Sequence, residues 1–272
     1  EMSDLPGECK AHGHLGAVHM ALGNYQHAVK CYQEQLGRAQ ELQDSGIEAQ
    51  SFGNLGIAKL NMGLYEDAIG YLEQQLGTLE RVNMPTTQHD RARALGHLGD
   101  CYDALGDFEE GIKCHERHLQ LATALQSYRD QERAYRGLGH SHRALGNLQE
   151  ALVCLEKRLV VAHELGSPEV KAVAYGDLGN IHSALGNYEQ AVNCLEHQQE
   201  IARELGDRAL VSDATSALGN VYQRMSDADG ALRLHKMDLE MCEHLGAGVL
   251  QARACGNLGA VYESIRSFVD AV

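Results

Sequence analysis

Proline is scarce in this chain, with only Pro6, Pro85 and Pro168 among 272 residues, so long stretches are free to be helical. Positive charge is also short: 23 Lys and Arg face 38 Asp and Glu, a formal net charge of -15. That balance excludes generic nucleic-acid and anionic-membrane binding and leaves basic or locally complementary partners. No uninterrupted apolar run approaches the roughly 20 residues that cross a bilayer, and the N-terminus lacks a charged-then-apolar signal. A cytoplasmic protein is expected, with no nucleic-acid and no membrane partner. The eight cysteines form no CxxC, which disfavours structural zinc. G-x-S-x-G, HExxH and phosphate-cradling loops are all missing, so the chain is not expected to be an enzyme or to carry a cofactor or metal.

What is present is a repeat. A Leu-Gly pair falls at Leu15-Gly16, Leu55-Gly56, Leu98-Gly99, Leu138-Gly139, Leu178-Gly179, Leu218-Gly219 and Leu258-Gly259, with spacings of 40, 43, 40, 40, 40 and 40 residues. A fixed period of that size marks a solenoid. Seven residues after the paired glycine comes Gly23, Gly63, Gly106, Gly146 or Gly186, replaced by Ser226 and Arg266 in copies six and seven. Two residues later stands Tyr25, Tyr65, Phe108, Leu148, Tyr188, Ala228 or Phe268, and three later again a small residue, from Ala28 to Ala271. Many of the 29 glycines are therefore architecture rather than linker.

Each copy reads as an antiparallel helical hairpin, its first helix ended by a glycine cap. The chain is expected to be one array with repeats 7–46, 47–89, 90–129, 130–169, 170–209, 210–249 and an incomplete 250–272. Its first helix starts near Glu8 after a loop over Asp4–Gly7. The three surplus residues of copy two lie in a loop around Pro85, and all three prolines lie in connections. Copy six, lacking glycine and aromatic, is expected to turn differently. Copy seven has a helix near 249–265 and one turn of a second, containing Phe268 and Val269. Both ends falling inside repeats points to a piece of a longer chain, monomeric, with end-to-end contacts at its uncapped ends.

Cys31, Cys114, Cys154 and Cys194 recur in phase on one face of the second helix. Equivalent helices stand about 16–20 Å apart, beyond the reach of a disulfide, so these are expected to be buried free thiols. His19, His142 and His182 take the place of Tyr102, Tyr222 and Tyr262 and are expected to be packed rings. Cys114, His115 and His118 share a helix face, but the cysteine phase already explains Cys114 and no carboxylate-rich constellation accompanies it.

The Leu-Gly helix, the Gly-x-Tyr turn and the alanine three residues later resemble the tetratricopeptide repeat. The 40-residue period and Leu178-Gly179-Asn180 and Leu218-Gly219-Asn220 are similar to the Pins-type branch. HEAT and armadillo arrays have a similar period but lack this turn. The resemblance implies an all-α, right-handed superhelical solenoid of antiparallel hairpins whose first helices line a concave groove. Segments such as Leu98-Gly99-Asp100-Cys101-Tyr102 also resemble a long array in an animal tetratricopeptide scaffold. That likeness implies a role in cell division at the spindle midzone and midbody, within the cytoskeleton, with a mitotic kinase among the partners.

Inward places on the first helices hold Arg93, Arg133, Arg136, Asp100, His140, Asn180, Asn220, Asp103, Arg143 and Gln223, with Asn257 in the last copy. Arg93, Arg133, Arg136 and Arg143 would grip carboxylates or phosphates of an acidic or phosphorylated segment. Asn180, Asn220 and Asn257 offer amides to a peptide backbone. The bland alternative is a solvated face with Arg133 or Arg136 paired to Asp100 or Asp103. A carboxylate clamp for chaperone tails is disfavoured, because Ser216 stands where its first lysine belongs. The expected function is a non-enzymatic scaffold holding a partner peptide in the groove; the alternative is a structural spacer or self-association module.

Overall fold

The computed structural model describes residues 4–82 and 84–270, and every regular element among them is helical. They fall into two compact units, Glu1–Leu145 and Gly146–Val272. The first contains α1 (Leu5–Ala21), α2 (Tyr25–Glu41), α3 (Ser45–Asn61), α4 (Tyr65–Val82), α5 (Gln88–Leu105), α6 (Phe108–Ala124) and α7 (Tyr128–Ala144). The second contains α8 (Leu148–Glu164), α9 (Pro168–Ala184), α10 (Tyr188–Leu205), α11 (Arg208–Arg224), α12 (Ala228–Leu245) and α13 (Gly248–Asp270).

The prolines start helices more than they fill loops. Pro6 lies in the first turn of α1, Pro168 opens α9, and Pro85 opens a single 3-10 turn, Pro85–Thr87, ahead of α5. A first-turn residue needs no N–H partner and has the φ that proline imposes, so α1 begins at Leu5 and not near Glu8. Acceptors recur just before the helices: Asp4, Asp44, Ser127, Ser167 and Asp207 each take a backbone N–H of the following turn. These caps satisfy donors that a helix start leaves open.

Inside the hairpins the chain reverses through left-handed residues, Gly23, Gly63, Gly106 and Gly186. Copy six does not turn differently: Ser226 adopts φ 63°. Ser226 N–H bonds the Gln223 carbonyl at 3.0 Å and Asp227 N–H the Tyr222 carbonyl at 3.0 Å, as Gly186 and Asn187 bond Ser183 and His182. The closing hydrogen bonds and the Asp227 cap on Gly230 N–H (2.9 Å) hold serine where a side chain costs about 1 kcal/mol. The turn expected at Arg266 is not made, because α13 runs on as one helix to Asp270. The side chains of Phe268 and Val269 lie outside the described residues.

Two helices of a hairpin meet through glycine notches. A Cβ on Gly16, Gly56, Gly99, Gly179 or Gly219 would lie 2.4–2.7 Å from the ring or side chain of Tyr32, Leu72, His115, Leu195 or His235, each 16 residues on. A second notch lies three residues earlier, where Gly13, Gly53, Gly96 and Gly176 receive Gln35, Gln75, His118 and Gln198. The apolar core then joins neighbours: α2 to α3 through Tyr32 and Leu55, α4 to α5 through Leu72 and Leu98, α8 to α9 through Leu155 and Leu178, α10 to α11 through Leu195 and Leu218. Leu15 of α1 is 49% exposed.

None of the eight cysteines is disulfide-bonded. The buried ladder is incomplete: Cys114 is buried, while Cys31, Cys154 and Cys194 are half-buried and Cys9, Cys101 and Cys242 are fully enclosed. His19, His142 and His182 are half-buried, and His19 stacks on His27 with centroids 5.3 Å apart. The rings of His115 and His118 are wholly buried in their notches. Among the described residues no group of three or more His, Cys, Asp or Glu side chains could hold a metal.

Burial pushes His118 down to about 4, with Asp130 opposing and Arg133 and His115 adding to the shift. Desolvation likewise lowers His235, with Asp238 opposing. Both are therefore neutral in the fold and bind protons more readily when unfolded. The contribution of His118 is fully present above pH 6.5 and is lost as pH falls toward 4, and that of His235 is lost in the same direction. Urea midpoints should drop across that window, and His118→Gln, the residue held at Gln35, Gln75 and Gln198, should flatten the drop. Gly56→Ala should cost about 1–3 kcal/mol by crowding Leu72. Gly77→Ala, in the exposed interior of α4 with nothing near its Cβ position, should stabilise by about 1 kcal/mol. Ser226→Gly should stabilise by about 0.5–1 kcal/mol in the same assay.

Candidate functional site

The first helices carry the polar residues singled out in the sequence, and each unit builds its face separately. In the first unit, Arg133 donates from Nη2 to Asp100 Oδ2 at 2.5 Å and to His97 Nδ1 at 2.8 Å. A guanidinium only donates, so His97 Nδ1 is the acceptor and its proton sits on Nε2. Desolvation and the Arg133 charge push His97 down to about 4, which keeps that neutral tautomer. Arg93 is 65% exposed and pairs with Asp90 on its own helix. The expected pairing of Arg133 with Asp100 is thus present, and two of the four arginines already have carboxylate partners.

Asp103 does not present its carboxylate to the face. Its side chain is 9% exposed, lying 3.1 Å from His115 Nε2 and accepting the Ser141 hydroxyl at 2.7 Å. The serine, histidine and aspartate are bridged through the aspartate, and Ser141 donates to it rather than being activated by the histidine. That order gives no nucleophile–base pair. Arg136, His140 and Arg143 are exposed, with His140 set edge-on to Phe108 at 6.1 Å between centroids.

Two concavities open on this face of the first unit. One, of about 420 Å³, is lined by Lys10, His14, Gln35, Gln50 and Asn54 among others. The next, about 410 Å³, shares Gln50 and Asn54 and adds Gln75, Arg93 and His97. Their floors are glutamines of the second helices, reaching through the notches at Gly13 and Gly53. In the second unit a concavity of about 470 Å³ is built likewise, with Gln198 beside Gly176 and with Asp177, Asn180, Asn220 and Arg253 on its walls.

Asn180 and Asn220 are exposed and have no hydrogen-bond partner among the described residues. Asn257 is engaged, donating to Ser216 Oγ at 3.0 Å. Gln223 is half-buried. Arg253 donates to Asp213 Oδ1 at 2.5 Å and to Ser212 Oγ at 3.3 Å. Arg158, nearly buried, crosses to Asp177. The floor glutamines and Asn54 were not anticipated. The available signal was a glycine three before the paired one, followed 22 residues later by Gln35, Gln75 or Gln198.

No helix among the described residues is long and apolar enough to cross a membrane. Comparison with curated proteins finds no match. Among solved structures, the chain is similar to a signal-transduction ATPase with a tetratricopeptide repeat sensor from Pyrococcus horikoshii, with TM-score 0.71 and 16% identity over 93% of this chain. It spans only 38% of that protein's length. A Rap protein complexed with Competence and Sporulation Factor gives TM-score 0.63 and 15% identity, covering 96% of this chain and 76% of that one. The Cut9–Hcn1 hetero-tetramer of the APC/C gives TM-score 0.66 and 14% identity, covering 94% and 43%. At these identities the likeness is one of fold, an all-helical tetratricopeptide-type solenoid. The tetratricopeptide repeat model matches residues 8–80, 90–162 and 170–244, and the chain belongs to the tetratricopeptide repeat family.

Proposed function

We propose that the chain is a non-enzymatic protein-interaction scaffold whose first-helix face holds an extended segment of a partner peptide. The observation that carries this reading is the pair Asn180 and Asn220, 40 residues apart, exposed and unpartnered on the walls of one concavity. A side-chain amide both donates and accepts, so a column of them can pair with a peptide backbone whatever its side chains. The Rap protein seen with Competence and Sporulation Factor supports a binding role for a face of this kind. In the first unit, Arg136 and Arg143 are exposed and without carboxylate partners among the described residues. They favour an acidic or phosphorylated segment.

The 40-residue period and the Leu-Gly-Asn triplets support a Pins-type branch. Segments of the chain are similar to the array of animal tetratricopeptide repeat protein 28. That likeness supports a place in cell division, at the spindle midzone and midbody in the cytoplasm, with a mitotic kinase among the partners. The second reading, a spacer or self-association module, draws on the pairing of Arg93, Arg133 and Arg253 with Asp90, Asp100 and Asp213.

A peptide array separates the two. The protein should bind a subset of extended peptides, with Asn180→Ala and Asn220→Ala each weakening binding about 5–10-fold. Arg136→Glu with Arg143→Glu should selectively remove acidic and phosphorylated sequences. Identical profiles for all variants, or no binding at all, would hand the lead to the spacer reading.

A further inference from the structure

A fourth concavity lies off the first-helix face. It has a volume of about 490 Å³ and sits where the end of α10, the start of α11 and the end of α12 meet. Ala202, Gly206, Val211 and Met241 give it apolar walls, and Arg203, Arg208 and His244 are the charged or ionisable groups among its lining. No lining residue is acidic, although the chain as a whole carries a net charge of -15. Arg203 donates through Nη2 to Gln199 Oε1 at 2.6 Å, which leaves the rest of its donor fork open. Arg208 is exposed and has no partner among the described residues. The nearest carboxylate in sequence, Asp207, is turned back to cap α11 through Leu210 N–H at 3.0 Å.

The same place in the other repeats is different. The positions matching this lining carry Glu48 between α2 and α4, Glu80 between α4 and α6, and Glu204 between α8 and α10. Glu204 stands where His244 stands one period later. Glu80 is 3.6 Å from Arg91, another of the matching positions. At those repeats the charge is balanced within the array, whereas between α10 and α12 it is left positive around an apolar floor.

We infer that the cleft between α10, α11 and α12 is a second partner site, which takes an acidic protein segment by burying one aliphatic side chain against Val211 and Met241. The guanidiniums of Arg203 and Arg208 hold carboxylates flanking that side chain, and charge complementarity selects the partner. None of its lining residues lines the first-helix concavity of the same unit, so it acts independently of a peptide held there.

Met241 is a built-in reporter. The protein, labelled with 13C at its methionine methyls, is titrated with the capped peptide acetyl-Glu-Glu-Leu-Glu-Glu-amide. The Met241 methyl should shift saturably. Affinity should fall at least tenfold in Arg208→Glu, and also when glycine replaces the peptide's leucine. The Asn180→Ala/Asn220→Ala protein should respond as the parent does, which separates this site from the first-helix face. The inference is overturned if Met241 does not move at millimolar peptide, if Arg208→Glu leaves the titration unchanged, or if acetyl-Lys-Lys-Leu-Lys-Lys-amide gives an equal shift. A response to phosphatidylserine vesicles with none to the peptide would also overturn it and assign the cleft to a membrane surface.

Discussion

The close approach of the two helices of each hairpin rests on the absence of a side chain. Gly16, Gly56, Gly99, Gly179 and Gly219 leave notches in the first helix, and one bulky residue of the second helix fills each. The occupant changes from tyrosine to leucine to histidine, but the spacing of 16 residues does not. Interiors at crystal-like density resist added volume, so the notch sets helix separation while the knob tolerates chemical variation. With the hairpin thus closed, its outer leucines are free to pack on the next one, and the core becomes a chain of pairwise clusters.

The second row of notches links packing to surface chemistry. Through Gly13, Gly53 and Gly176 the second helix sends Gln35, Gln75 and Gln198 to the floors of concavities otherwise walled by first helices. Where copy three has His118, the ring is sealed with both nitrogens unpaired. The repeat therefore exchanges a wettable amide for a desolvated ring at one position, and that exchange adds to the acid sensitivity that buried His235 also brings. Asp103 and His115 extend the same buried layer, which is why an aspartate assigned to the surface by helix phase serves inside instead.

Much of this was legible from the period alone. The Leu-Gly register located the hairpins, and Gly23, Gly63, Gly106 and Gly186 located their turns, because a left-handed residue at a helix end favours glycine strongly. The errors share a cause, which is reading a residue type without its hydrogen bonds. Ser226 keeps the turn because the two closing backbone bonds and the Asp227 cap outweigh its strain. Arg266 marks no turn, since nothing there interrupts the ladder of α13. Pro6 and Pro168 read as loop residues until the capping Asp4 and Ser167 are considered. On the first-helix face, phase placed the named residues on first helices, as the fold does. It could not tell which arginines were already neutralised, because ion pairs such as Arg133–Asp100 and Arg253–Asp213 join residues 33 and 40 positions apart.

The pairwise character of the core has a mechanical consequence. Because Leu55, Leu98, Leu178 and Leu218 are each covered by the helix of a preceding hairpin, no hairpin owns a complete core. Within either unit, opening one hairpin would uncover the leucine of the next, like a zipper. Such an array stretches by counting off repeats, and its compliance is set by how many neighbours a hairpin has, not by any single contact.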